Sequence, residues 1–292
     1  MSKNLFTIGL VLTSFILQGC NSAISQSANT NSNNVASLAT ITPSPKAQLP
    51  EQQKVEFKGV SFTYNPQIFG EVKSEDIAEH LLEYETDKPG GEEPQHRLFS
   101  FGSSTNNRHM YIAVYPINEF PRMYAVNKSL VKIMEKEIIN LQKVVRDKNF
   151  RVNGQIPYLP FIDASQTFQK KVKHFSFQNG RGIFFLTQID IEPTLINNEG
   201  LTYYFQGISD DEEHYILAEF RVNVSFLPKD YEAREFEDYK LSSAYSLSAD
   251  ESSKHEKYLS EITSRLEGLK PNEFTPSLDE IEKIIASLKI EK

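Results

Sequence analysis

Hydrophobic and polar positions divide this chain into three stretches. Leu5 to Leu17 is an almost unbroken apolar run that follows Lys3 and ends among small residues. It is too short to span a bilayer stably and has the layout of a secretory signal, predicted over residues 1–19. Residues 20–53 lose all periodicity and are rich in Ser, Asn, Thr, Ala, Gln and Pro. Such a stretch cannot bury enough surface to offset its ordering entropy, so it is predicted to be a disordered tether. Flexible-chain scaling gives it a reach of about 30 Å. Periodic patterning begins with residue 54, and residues 54–292 are predicted to form one globular domain.

Within that domain Val55, Phe57, Val60, Phe62 and Tyr64 alternate with one slip, as in a strand or a bulged pair of short strands. Asn65-Pro66 ends it. Residues 74–83 predict a short helix that Ser74 can cap. Asp87 to Pro94 is a polar loop, followed by strands Arg97–Phe101 and Met110–Tyr115. The second of these is apolar on both faces, as a central strand is. Val126, Leu130, Ile133, Met134, Ile138, Leu141, Val144 and Val145 mark one side of a helix from Ala125 to Arg146.

Two aromatic hairpins follow. Val172–Gln178 and Gly182–Ile191 flank Asn179-Gly180-Arg181, where glycine suits a positive φ. Leu201–Ile208 and Tyr215–Val222 flank the acidic turn Ser209 to Glu213. Phe175, Phe177, Tyr203 and Phe205 recur at period two and are expected to face a core. Ser248-x-x-Glu251 and Ser277-x-x-Glu280 are capping boxes for two C-terminal helices, with Pro271 and Pro276 between them. Asp230 to Lys240 is a weaker amphipathic pattern. The predicted class is α+β: a single antiparallel sheet covered by helices, with an α-β-α sandwich as the layered version.

Charge and cysteine content narrow the partners. The 292-residue chain has a formal charge of −8, and loss of the signal with Lys3 makes it −9. An acidic chain with no basic surplus is a poor nucleic-acid ligand and adsorbs weakly to anionic lipid. The one cysteine, Cys20, cannot form an internal disulfide.

Leu17-Gln18-Gly19-Cys20 resembles the lipobox of bacterial lipoproteins. That resemblance implies cleavage before Cys20 and its acylation, which would anchor the chain to a bilayer on the extracytoplasmic side. Asn21, rather than Asp, follows, which implies the outer membrane in a host with two membranes. A second resemblance rests on Pro157, Leu159, Pro160, Ala164, Gln166 and Phe168, with Phe177-x-Asn179-Gly180 and Leu186-Thr187-Gln188. It continues through Ile196-Asn197-Asn198, Tyr203-x-Phe205-Gln206-Gly207, Asp210-Asp211, Tyr215, Leu227-Pro228 and Pro276-x-Leu278-Asp279. This block is similar to a family of uncharacterised bacterial lipoproteins and covers most of residues 54–292, but it brings no activity with it. The family pattern tends to Asp-Gly where this chain has Asp211-Glu212. Gly59-Val60-x-Phe62-x-Tyr64-x-Pro66 has a fainter similarity to the opening strand of photosystem-P-like and Mog1-like α-β-α sandwiches. That bears on fold rather than function.

Catalytic motifs are scarce. The six histidines are scattered and form no metal pair, and His255-Glu256 has Leu259 where a zinc-protease helix needs its second histidine. No Gly-x-Ser-x-Gly elbow and no phosphate-binding glycine loop occurs. Asp210 and Asp211, followed by Glu212 and Glu213, form an oxygen-rich turn that could take calcium if Asp190, Glu192, Asn197 and Asn198 converged on it. A solvated turn is the plainer account, and no other cofactor is expected.

Gln188 and Gln206 interrupt apolar strands, where an amide must find partners. They either pin strand register or, with Tyr203 and Tyr215, line a shallow site for a polar ligand such as a sugar or peptide. The expected function is non-catalytic: an envelope lipoprotein that binds a partner protein or ligand, or supports an assembly. The alternative is a hydrolase using Asp190, Asp210 or Asp211.

Overall fold

A computed structural model of the protein describes residues 51–81, 90–102, 110–147, 155–162, 164–191, 194–232 and 249–291. All of them belong to the unit Gln48–Lys292. The signal, Cys20 and most of the tether lie outside the described residues, as does most of the Asp230–Lys240 pattern.

Strands β1 (Gln53–Phe57) and β2 (Val60–Tyr64) form a hairpin. The slip in alternation is its two-residue turn, with φ 45 at Lys58 and φ 77 at Gly59. Helix α1 (Pro66–Phe69) follows, its first turn capped by Asn65 Oδ1, which accepts from Gln67 N at 2.9 Å.

The helix expected over 74–83 is instead strand β3 (Val72–Ile77), and residues 78–81 carry no helix. Ser74, Glu75 and Asp76 read as helix formers in isolation, but a helix that short is marginal alone. Here β3 pairs along its length with β4 (His96–Phe101), and its charges suit an exposed sheet edge.

Strand β5 (Met110–Pro116) leads through a 3-10 turn to α2 (Phe120–Met123) and α3 (Lys128–Arg146). Helix α3 starts three residues after Ala125 because Asn127 caps it, accepting from Ser129 N at 3.0 Å. Leu130, Met134, Leu141, Val144 and Val145 are buried, while Val126 precedes the helix and is exposed. Then come β6 (Ser165–Gln166), β7 (Lys170–Phe177), β8 (Gly180–Thr187), β9 (Ile189–Asp190), β10 (Thr202–Ser209) and β11 (His214–Arg221). Helices α4 (Ala249–Gly268) and α5 (Leu278–Ser287) and strand β12 (Lys289–Ile290) complete the unit.

The α+β class stands, with a large antiparallel sheet of seven strands in the order β3-β4-β5-β11-β10-β8-β7. The expected single sheet does not. A three-stranded sheet, β1-β2-β12, and the short pair β6-β9 are separate. The N-terminal hairpin takes the C-terminal strand as its neighbour and lies over the large sheet, with Phe62 against Phe99 at 5.3 Å. One face of the large sheet packs on this small sheet, α4 and α5, through Phe184, Tyr203, Phe205, Phe220, Ile281 and Ile285. The other packs on α2, α3 and residues 156–159, through Tyr115, Phe185, Tyr204, Leu217, Met134 and Leu141.

Two local expectations change. Gly180 does not have a positive φ, because the turn of the β7–β8 hairpin is Gln178-Asn179. Crowding requires glycine there: a Cβ would lie 2.1 Å from Phe177 Cζ and 2.6 Å from Ile208 O. The second hairpin turn places Glu212 at φ 63, the conformation glycine ordinarily supplies. Ser277 makes no side-chain cap hydrogen bond, and Glu280 accepts from Lys283 instead.

Candidate functional site

Strand register sets up the site. On the α3-facing side of the large sheet, Phe185 lies beside Tyr204, Tyr204 beside Glu219, and Glu219 beside Tyr111. Glu219 is thus a carboxylate inside an aromatic row. Its Oε1 accepts from Tyr111 Oη at 2.6 Å and from Tyr158 Oη. Tyr158 comes from the segment 155–162 and packs edge-on against Tyr204, with centroids 5.7 Å apart. Burial holds the Tyr111 and Tyr158 hydroxyls well above the ordinary phenol range, and the charge of Glu219 adds to it. Both phenols therefore stay protonated and donate. Among the described residues no lysine or arginine pairs with Glu219, and its hydrogen bonds come from two neutral phenols.

In front of Tyr158 lies a cleft of about 170 Å³, lined by Glu137 of α3 and by Gln155, Tyr158, Phe161, Gln166 and Ile189 among others. Drug-sized ligands occupy roughly 300–1,000 Å³, so this one suits a group the size of a single side chain. Gln166 holds its wall. Its Oε1 accepts from Ile156 N at 3.1 Å, and its Nε2 donates to Ile156 O at 2.7 Å.

Gln188 and Asp190 stand behind that wall. The two hydrogens of Gln188 Nε2 are shared among Asp190 Oδ2 (2.8 Å), Thr194 Oγ1 (2.9 Å) and Leu195 O (3.2 Å), and its Oε1 accepts from Asn197 N (3.1 Å). Asp190 Oδ2 also accepts from Thr194 Oγ1 at 2.6 Å and Thr167 Oγ1 at 3.2 Å. Register places Gln166 opposite Ile189, so this network supports β6–β9 and the cleft wall beside it.

The structure does not gather the four predicted ligand residues on one surface. Tyr203 belongs to the opposite face, where its hydroxyl donates to Glu282 Oε1 of α5 at 3.0 Å. Gln206 and Tyr215 do meet, 2.8 Å apart, but both are fully buried under Leu159, whose carbonyl lies 3.1 Å from Tyr215 Oη. A hydroxyl has one hydrogen, so Tyr215 donates to only one of these two acceptors. Gln206 Nε2 has no partner.

Asp210 and Asp211 lie at the far end of the hairpins. The β8–β10 register puts Gly180 beside Ser209 and Thr187 beside Thr202, so Asp190, Asn197 and Asn198 are a strand length away from the acidic turn. Glu192 lies outside the described residues. Asp210 pairs with Arg181 at 3.0 Å, and Asp211 Oδ1 accepts from Ser209 Oγ at 2.6 Å and Glu213 N at 3.2 Å. Among the described residues no group of three His, Cys, Asp or Glu side chains is placed to hold a metal ion.

Sequence inspection missed Glu219, Glu137 and Tyr158. Glu219 did carry a signal, as a lone carboxylate between Ala218 and Phe220 in an apolar strand. No protein-family model, curated protein or solved structure matches the chain.

Proposed function

We propose that this chain is a bacterial envelope lipoprotein, anchored through acylated Cys20, that binds a partner or ligand and performs no catalysis. The tether would hold the domain within about 30 Å of the bilayer. Asn21 after the cysteine favours the outer membrane where the host has two membranes. The observation that carries the binding role is the state of the carboxylates a hydrolase would use. Asp190 accepts three side-chain donors, Asp210 is in an ion pair, and Asp211 caps its own turn. A general acid or base must reach a substrate atom, and these groups are committed to internal partners instead. The small cleft in front of Tyr158 supports recognition of a compact group on a larger partner. Among the described residues no helix is long and apolar enough to cross a membrane.

The test labels growing cells with radioactive palmitate, cross-links the full-length protein in place and identifies captured proteins by mass spectrometry. Label on the chain and one enriched envelope protein, both lost in Cys20→Ser, is the expected result. An unlabelled chain that fractionates without membranes would overturn the anchoring.

A further inference from the structure

We infer that the cleft in front of Tyr158 is a subsite for an alkylammonium group, the chemistry of a lysine side chain or of an ethanolamine headgroup. This rests on the binding role above and names what is bound. Among the described residues the lining has one formally charged side chain, the Glu137 carboxylate, and no lysine, arginine or histidine. Among the described residues Glu137 makes no ion pair, so its charge at the rim is uncompensated. Behind the floor, one hydrogen bond from Tyr158, stands a second carboxylate, Glu219, held by the Tyr111 and Tyr158 hydroxyls. Two carboxylates with no lysine or arginine paired to either among the described residues repel an anionic ligand and favour a positive one.

The walls select further. Ile156, Pro157, Ile162 and Ile189 are apolar, as a methylene stem requires, and Tyr158 and Phe161 offer rings to a cationic head. A phenol that donates its hydrogen to a carboxylate gains electron density in the ring, which strengthens its attraction for a cation. The Tyr158 hydroxyl is occupied by Glu219 and so is not available as a donor to a ligand carboxylate or phosphate. Gln166 is likewise spent on the Ile156 backbone. The cleft therefore has acceptors and ring faces at its disposal and few donors.

The experiment is ligand-detected NMR and titration on the full-length chain. The probes are N-acetyl-lysine methylamide, its neutral isostere N-acetyl-norleucine methylamide, and glycerophosphoethanolamine. Few atoms enter the cleft, so millimolar dissociation constants are expected, about 4 kcal/mol of binding. The lysine probe should bind at least about tenfold more tightly than norleucine, and Glu137→Gln should abolish most of that difference, since a charge-assisted bond of 1.5–3 kcal/mol corresponds to roughly tenfold or more. Binding of the net-neutral diester glycerophosphoethanolamine as well would support the same chemistry with a lipid source, and its exclusion would support a peptide source. Tyr158→Phe keeps the ring and the fold and should weaken the lysine probe without changing norleucine. Equal binding of lysine and norleucine would leave the binding role intact and overturn the ammonium assignment. Absence of binding by both ammonium-bearing probes, with unchanged thermal stability in their presence, would also overturn it, while the cross-linking result would stand separately.

Discussion

Two glutamines are fully buried in this fold and should respond unequally to the same substitution. Gln188→Met and Gln206→Met each replace an amide by an unbranched apolar chain of similar length. At position 188 four hydrogen bonds disappear. Leu195 O keeps Asn197 Nδ2 at 3.1 Å, and Asp190 keeps its two threonine hydroxyls. Asn197 N, however, loses Gln188 Oε1 inside the protein. A buried orphaned donor costs about 1–3 kcal/mol, and loss of a bond to a carboxylate adds about 1.5–3 kcal/mol, so Gln188→Met is expected to cost about 2.5–6 kcal/mol. At position 206 the amide has one partner, Tyr215, which retains Leu159 O, and its Nε2 is already unpaired. Removing that orphan offsets the lost bond, so Gln206→Met should stay within about 1 kcal/mol of the parent. Urea unfolding of the full chain reads the difference as a shift in midpoint at constant slope. For a domain of this size, Gln188→Met should lower the melting temperature by roughly 5–24 °C. Equal losses at the two sites, or a larger one at Gln206, would refute the hydrogen-bond assignment.

Three further outcomes follow from packing and charge. Gly182→Ala should destabilise by about 1–3 kcal/mol or more, because its Cβ would meet Gln206 O at 2.3 Å and the Phe205 ring at 2.4 Å, and backbone cannot yield as a flexible side chain does. Tolerance of alanine there, read by thermal melting, would contradict the β8–β10 packing. Burial, and then Arg97, holds the half-buried His214 below its ordinary value of 6.5, outweighing Asp211 and Glu213, which pull it up. The unfolded chain then takes up the proton first, so this stabilisation is complete above pH 6.5 and lost as pH falls through the lower folded value. The melting temperature should fall on acidification through that window, and His214→Gln should flatten the slope; an unchanged slope would sink the idea. In the third case, Tyr111→Phe and Tyr158→Phe remove donors from the same oxygen of Glu219. Their double-mutant cycle should show coupling of about 0.5–3 kcal/mol, and strict additivity would mean that the two phenols act independently.

The sheet was legible where strands are apolar on both faces. Met110–Pro116, Thr202–Ser209 and His214–Arg221 announce themselves by continuous aromatic and β-branched runs. Strand β3 was not, because an edge strand carries solvent-facing charges, and Ser74-Glu75-Asp76 is locally as good a helix start as a strand. The separate small sheet depends on a pairing between residues 60 and 290, which no local pattern encodes. Gly180 was recognisable as a required glycine, but the reason lies in the Phe177 ring and the neighbouring strand rather than in its own φ.

At the site, an amide inside an apolar run pointed correctly to Gln188 as a buried hub. The same signal marks Glu219, a carboxylate in such a run, whose role becomes visible only once register sets it beside Tyr111 and Tyr204. The cleft wall at residues 155–166 has no periodicity, so nothing in the sequence foretold that Tyr158 would reach Glu219. Asp210 and Asp211 stood out because acidic turns are conspicuous, yet local partners satisfy them.

The measurement closest to the centre of the proposal is site-specific photo-cross-linking in cells. A photoreactive residue is placed at Gln155 on the cleft rim and, separately, at Asp279 on α5 across the sheet. Capture of one envelope partner from Gln155, absent from Asp279 and lost in Cys20→Ser, is the predicted result. Capture of that partner from Asp279 alone would contradict the cleft as the binding face.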